Sequence, residues 1–269
     1  MLCMTNDDIL NEEEISSLLK TEKLGKSIVY IGKTTSTNVV AKEKSDMPCG
    51  TIFVSDIQTD GRGRRGKSWI SESADGLWMS ILLKPDIKTD EAACVTLVAG
   101  LAVCKALRKL TGADVLIKWP NDIVLDDKKL CGILCEMSCK EDMVRYVVCG
   151  IGINLNTEKF DDEIKNIACS VKSVTGIELK RSVVCAEVLN CFEPLYNKFI
   201  STGLGGIISE YKKYCVTVGK EVSVIKGDNK INAFATDVTE KGELVVRYDN
   251  REESLSSGEV SVRGIFGYI

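Results

Sequence analysis

An α+β fold is predicted for this 269-residue chain, a mixed sheet flanked by helices with a small β-barrel after it. Three observations predict it. As far as about residue 215, β-branched apolar runs are interspersed with stretches of helical period. From residue 216 on, only short β-rich runs separated by glycines remain. With 44% hydrophobic residues, the chain can also bury one large core and a smaller one. Two units are therefore expected, residues 1–215 and 216–269.

The elements follow in order. Asn6 and Asp7 offer caps for a helix reaching residue 19, and residues 27–31 read as a strand. Ser36, Thr37 and Asn38 supply capping side chains for a short helix over 39–44. A strand over 51–57 leads into a glycine- and arginine-rich loop over 60–67, and a further strand covers 77–84. Residues 90–110 give the clearest helical period, with Ala93, Leu97, Leu101, Cys104 and Leu107 near one face. Residues 115–119, 123–125, 130–137 and 144–153 read as successive strands, with Asp126-Asp127-Lys128 as a hairpin turn. Helices are expected over 181–200 and 207–214. Runs at 221–225, 231–238, 244–248 and 260–263, parted by Gly227, Gly242 and Gly258, have the rhythm of a small barrel.

Composition excludes several kinds of function. A net charge of −4 argues against a broad basic face for nucleic acid or anionic membrane. The acidic first 20 residues are no signal peptide, and the longest apolar stretch, 92–104, is shorter than the ~18 residues of a spanning helix. A soluble, cytoplasmic protein is expected. There is no histidine, so Ser-His-Asp and Cys-His catalysis and His-ligated metals are excluded. Most of the twelve cysteines are scattered through apolar positions, as reduced core residues are. Cys131, Cys135 and Cys139 match no zinc or iron–sulfur spacing, and no protein metal site is expected.

Two motifs carry chemistry. Gly61-Arg62-Gly63-Arg64-Arg65-Gly66-Lys67-Ser68 meets the P-loop pattern literally, and Ile123-Val124-Leu125-Asp126 imitates its partner strand. A P-loop must run into a helix whose N-terminus holds the phosphates, whereas Trp69 to Gly76 is poor helix sequence. The loop can instead close over an anion, with glycines for close approach and Arg62, Arg64 and Arg65 as forked donors. A solvated basic loop is the plainer reading. The second motif is Lys118-Trp119-Pro120-Asn121-Asp122, whose lysine follows an apolar strand and is costly to bury unless paired. A lysine snorkelling to the rim is the plain alternative there.

With Ser36-Thr37-Asn38, Gln58, the arginine loop, the Lys118 motif, the run 129–136 (Lys-Leu-Cys-Gly-Ile-Leu-Cys-Glu) and Gly150-Ile151-Gly152-Ile153-Asn154 in order, the chain resembles the biotin protein ligase family. Residues 258–263 resemble that family's small C-terminal domain. The resemblance implies a class II synthetase-like catalytic domain with an SH3-like barrel. It also implies ATP and Mg2+ as cofactors, biotin as substrate and a biotin carboxyl carrier protein as acceptor. Ser36, Thr37, Asn38, Gln58, Arg62, Gly63, Arg64 and Lys118 correspond to biotin contacts. Arg62, Arg64, Arg65, Trp69, Lys118, Asn121 and Asn154 correspond to adenylate contacts, with Lys118 and Arg64 in the catalytic roles. Val39 and Lys67-Ser68 depart from the family's usual residues without removing a needed group. Some relatives carry an N-terminal DNA-binding domain of roughly 60 residues, and the 26 or so residues available here are too few to fold alone. A ligase without specific DNA binding is expected, with sheet edges that could pair in a homodimer. Three rivals stay open, a lipoate- or octanoate-type ligase, a P-loop nucleotide-binding protein and a nucleic-acid-binding module.

Overall fold

The computed structural model describes residues 8–227, 229–249, 251–257, 261–264 and 268–269. Helix α1 (Glu12–Leu18) begins later than expected. Its cap is Asn11, whose Oδ1 accepts from the Glu14 amide at 3.0 Å, while Asn6 and Asp7 lie outside the described residues. Strand β1 (Ile28–Thr34), helix α2 (Thr37–Glu43), strand β2 (Ile52–Gln58) and strand β3 (Gly76–Leu83) follow. Helix α3 (Cys94–Thr111) starts four residues inside the predicted span, because residues 90–93 form turns, and it ends on Gly112 at φ 68°.

Strands β4 (Leu116–Lys118), β5 (Asp122–Leu125), β6 (Lys128–Lys140) and β7 (Met143–Asn154) form an antiparallel meander. Asp126 and Asp127 take φ of 51° and 56°, which suits the two-residue turn joining Leu125 to Lys128. The seven strands line up as β1-β2-β3-β7-β6-β5-β4, and only β1 and β2 pair in parallel. The sheet is mixed, as predicted. Helices α4 (Val171–Thr175), which the sequence did not reveal, α5 (Arg181–Thr202) and α6 (Gly205–Tyr214) follow. Strand β3 is buried throughout, and α3 packs on the sheet and on α5 to form the main core. Among the described residues no helix is long and apolar enough to cross a membrane.

A second antiparallel sheet runs β8 (Glu221–Lys226), β9 (Asn229–Val238), β10 (Leu244–Tyr248), β11 (Arg251–Leu255) and β12 (Ser261–Gly264), in the order β11-β10-β9-β8-β12. Its two edges are not paired with each other among the described residues. Strand β11 is an addition to the sequence reading, since Arg-Glu-Glu-Ser shows no apolar alternation. Gly258, Glu259 and Val260 of the predicted closing run lie outside the described residues. The two sheets are tied together at β4. Val216 donates its amide to the Ile117 carbonyl at 2.9 Å, and Trp119 donates its amide to Thr217 Oγ1 and its indole N–H to the Gly242 carbonyl, each at 2.9 Å.

Candidate active site

Three glycines hollow out the floor of the site. On β7, a Cβ added to Gly150 would lie 2.2 Å from Asn38 Oδ1, and one on Gly152 would lie 2.6 Å from Trp69 Nε1. On β6, Gly132 sits opposite Gly152 with the Trp69 ring 3.0 Å from where its Cβ would be. Only residues without a side chain let Asn38 and Trp69 approach so closely. The result is a cavity of about 480 Å3, open mouth included.

At one end, α2 and β2 deliver a buried polar cluster. Ser36 is the N-cap of α2, but its side chain makes no capping bond, and neither Thr37 nor Asn38 caps the helix as predicted. Thr37 instead gives its amide to Gln58 Oε1 at 2.8 Å, with its hydroxyl 3.1 Å from the same oxygen. Gln58 Nε2 donates to Ser71 Oγ at 3.1 Å. Ser80 on β3 lies 2.7 Å from Thr37 Oγ1 and 2.6 Å from Asn38 Oδ1. Asn38 Nδ2 donates to the Leu134 carbonyl at 3.2 Å and to Glu136 Oε2 at 2.9 Å. Thr37, Asn38, Gln58 and Ser80 are all buried. Neutral groups so fully cross-linked form a fixed surface that can meet a small polar, uncharged ligand group.

The arginine loop forms the wall. It folds back on itself, with Gly63 donating to Lys67 O at 2.7 Å and Trp69 to Gly61 O at 2.8 Å. The chain runs from Ser68 to strand β3 with no helix between, so the P-loop reading fails: the helix N-terminus it requires is not there. Arg62 pairs with Asp60 at 3.1 Å. Arg64 donates to Asn121 Oδ1 at 2.9 Å and to the Ser257 carbonyl, and burial lowers its pKa. Trp69 packs edge-on against Trp78, with ring centroids 6.3 Å apart, and Lys129 Nζ lies 5.3 Å from its centroid.

Lys118 is 7% exposed on β4 and lies behind the cavity rather than in its lining. Its Nζ donates to the Tyr268 carbonyl and sits 3.7 Å from the centre of that ring. The Tyr268 hydroxyl donates to Asp122 Oδ2 at 2.6 Å, and Lys129 pairs with Asp122 Oδ1 at 2.7 Å. Burial pushes the Lys118 ammonium down to about 8, against the attraction of Asp122. A cation so held gains most from a permanent anion placed beside it. Among the described residues no group of three or more acidic or cysteine side chains could hold a metal ion.

The sequence profile of the Biotin/lipoate A/B protein ligase family matches residues 29–154, and that of the biotin protein ligase C-terminal domain matches residues 217–263. The bifunctional ligase/repressor BirA of Bacillus spizizenii is 35% identical over 257 residues, covering 94% of this chain and 79% of that protein. The chain belongs to the biotin protein ligase family. A biotin–[acetyl-CoA-carboxylase] ligase of Paracoccus denitrificans is 28% identical over 87% of this chain and the whole of that one. The fold matches the biotin protein ligase from Aquifex aeolicus in complex with biotin and ATP, at TM-score 0.80 and 31% identity, over 89% of this chain and 99% of that one.

Within this family fold, the cavity gathers Ser36, Thr37, Asn38, Gln58, Arg62, Gly63, Arg64, Trp69 and Asn121 from five separate stretches of chain. Lys118, Arg65 and Asn154 do not line it. Asn154 gives its amide to the Cys169 carbonyl at 3.0 Å, and Arg65 sits at φ 57° on the outer turn of the loop. Sequence reasoning did not single out Ser80, Lys129 or Glu136 as site residues. Lys129 and Glu136 bracket a quoted motif and were within reach. Ser80 is one serine in an apolar strand, and its period-2 alignment with Trp78 was the available signal.

Proposed function

We infer that this chain is a biotin protein ligase. It activates biotin with ATP and transfers the biotinyl group to a lysine of a biotin carboxyl carrier protein. The observation that carries the reading is the junction, in one cavity, of a neutral buried hydrogen-bonding end and an arginine-rich wall. Biotin needs both kinds of surface, one for its cyclic urea and the other for its carboxylate.

In the first step a biotin carboxylate oxygen bonds to the α-phosphorus of ATP, and the bond to the bridging oxygen of pyrophosphate breaks. In the second, an uncharged lysine amine attacks the acyl carbon, forming the amide and releasing AMP. The first step brings anions together, so Arg62, Arg64 and Lys129 at the cavity, with Lys118 behind it, supply the opposing charge. Lys118 acts once its partner Tyr268 yields to substrate. Thr37 and Gln58 meet the urea, and Trp69 and Asn121 lie toward the adenylate. Magnesium bound with the nucleotide would add positive charge at the phosphates, since among the described residues no cluster of three or more acidic or cysteine side chains is there to hold it. We also propose that the second sheet is an SH3-like barrel, that the two units divide near residue 216, and that the enzyme works in the cytoplasm.

The test is isotope exchange of pyrophosphate into ATP. Exchange that depends on biotin and magnesium is expected. Exchange driven equally by lipoate or octanoate, with no response to biotin, favours the acyl-ligase rival instead, since those acids carry no urea.

A further inference from the structure

Behind the neutral end of the cavity lies an ion pair that the reaction does not require. Glu136 does not line the cavity, yet its two oxygens are both engaged, Oε1 by Lys42 Nζ at 2.7 Å and Oε2 by Asn38 Nδ2 at 2.9 Å. Burial pushes its carboxyl up, but the hydrogen bonds from Lys42 and Asn38 outweigh it and hold the group below its ordinary value. It is a carboxylate at neutral pH, able only to accept.

A carboxamide has two ends of nearly the same shape and opposite chemistry. Glu136 and the Leu134 carbonyl both demand donors, so the NH2 end of Asn38 must face them and Oδ1 must face Ser80. The rest follows by counting protons. Oδ1 can only accept, so Ser80 gives it the single hydroxyl proton it has, at 2.6 Å. Ser80 Oγ then receives the Thr37 hydroxyl at 2.7 Å. The Thr37 proton is thereby committed, and its 3.1 Å approach to Gln58 Oε1 carries none. That oxygen keeps a lone pair beyond the one taken by the Thr37 amide. Reversing the Asn38 amide reverses every donor: Ser80 gives to Thr37, Thr37 gives to Gln58, and the free acceptor is lost.

We infer that Glu136 is a positioning residue for biotin, setting the direction of the Asn38–Ser80–Thr37–Gln58 chain so that the pocket offers an acceptor to a urea N–H. This rests on the reading that biotin's ring occupies that end of the cavity. It assigns a purpose to the last residue of the 129–136 motif. It also explains why a charged pair about 30% exposed is placed against a pocket for a neutral group.

Biotin binding to the full chain is measured by calorimetry without nucleotide, beside steady-state exchange kinetics. Glu136→Leu should weaken biotin about tenfold, the loss of one well-directed hydrogen bond, because Leu134 O still favours the native amide direction. The change should appear in KM for biotin, with kcat and KM for ATP within about twofold. The paired change Glu136→Gln with Lys42→Met lets the glutamine oxygen face Asn38 with no cation beside its NH2, so it should restore affinity to within about threefold. A thermal melt identifies any variant that fails to fold, and the paired change keeps the test open if Glu136→Leu does. Native biotin affinity in Glu136→Leu, alongside clear weakening in Gln58→Ala, overturns the inference alone. Native affinity in Gln58→Ala overturns the cavity reading and the inference with it.

Discussion

The two ends of the cavity solve recognition in opposite ways. The Thr37–Gln58–Ser80 end is buried, uncharged and cross-linked before any ligand arrives, so little order remains to be imposed on binding. The arginine loop is exposed over much of its length, and few of its bonds reach beyond itself. Arg64 is the link it makes outward, to Asn121 and the Ser257 carbonyl, while Arg62 turns back to Asp60 within the loop. On the proposed reading, a neutral ring meets a rigid surface and a charged, water-sensitive adenylate meets the arginine loop.

The sharpest break in that comparison is Lys118→Ala. Single-turnover adenylate formation should fall ~10²–10³-fold, or ~2.7–4 kcal/mol, the usual cost of one oriented charge-stabilising group. The melting temperature should hold, because burial already disfavours this ammonium. Normal adenylation by the alanine variant would reduce Lys118 to a structural residue.

Arg64→Gly should come next, at ~1.5–3 kcal/mol of adenylate retention for lost charged hydrogen bonds. Adenylate half-life on the enzyme and biotin appearing on bystander lysines report it, and the rigid end should keep its affinity for free biotin. If the two ends do not separate in this way, the comparison fails.

Gly150→Ala tests the rigid end from below. The new methyl group would meet Asn38 Oδ1 at 2.2 Å, so the side chain must shift at an overpacking cost of ~1–3 kcal/mol. Biotin affinity should drop while ATP affinity holds, and Gly152→Ala, which meets Trp69, should show the reverse pattern.

The smallest effect concerns pH. The Glu136 carboxyl titrates below its ordinary 4.5 in the folded chain. Its contribution to stability is therefore complete above that value and is lost as pH falls through the lower, folded one. The stability gap between the parent and Glu136→Gln should be constant near neutrality and narrow in acid, as read by urea melts at both pH values. A gap unchanged in acid would mean that the carboxylate charge is not what matters.

Much of the architecture was legible in the sequence because apolar periodicity reports burial directly. Strands β2, β3 and β7 and helices α5 and α6 fell within a few residues of their predicted spans. The misses have separate physical causes. Helix α4 is five residues long, too short to show a period, and β11 pairs through its backbone while its side chains are mostly charged. The cavity lining was legible wherever motifs carried it, at Gln58, Arg64 and Trp69. Ser36-Thr37-Asn38 read both as a helix cap and, through the family resemblance, as biotin contacts, because the two roles draw on the same hydroxyl and amide chemistry; the structure has no side-chain cap bond there and sets all three at the cavity. The packing of Tyr268 over Lys118 joins residues 150 positions apart, and no local pattern announces it.

Trp119 sets a limit on rearranging this molecule. Its indole is 1% exposed, and its one proton goes to the Gly242 carbonyl in the turn between β9 and β10. A hybrid that joins the first 215 residues to another protein's tail would have to supply a carbonyl at that same point. Otherwise it leaves a large apolar ring facing water and an N–H without an acceptor, one residue from Lys118. For the engineer, the two sheets are one cassette, and the cut between them is safe only when both sides of that contact travel together.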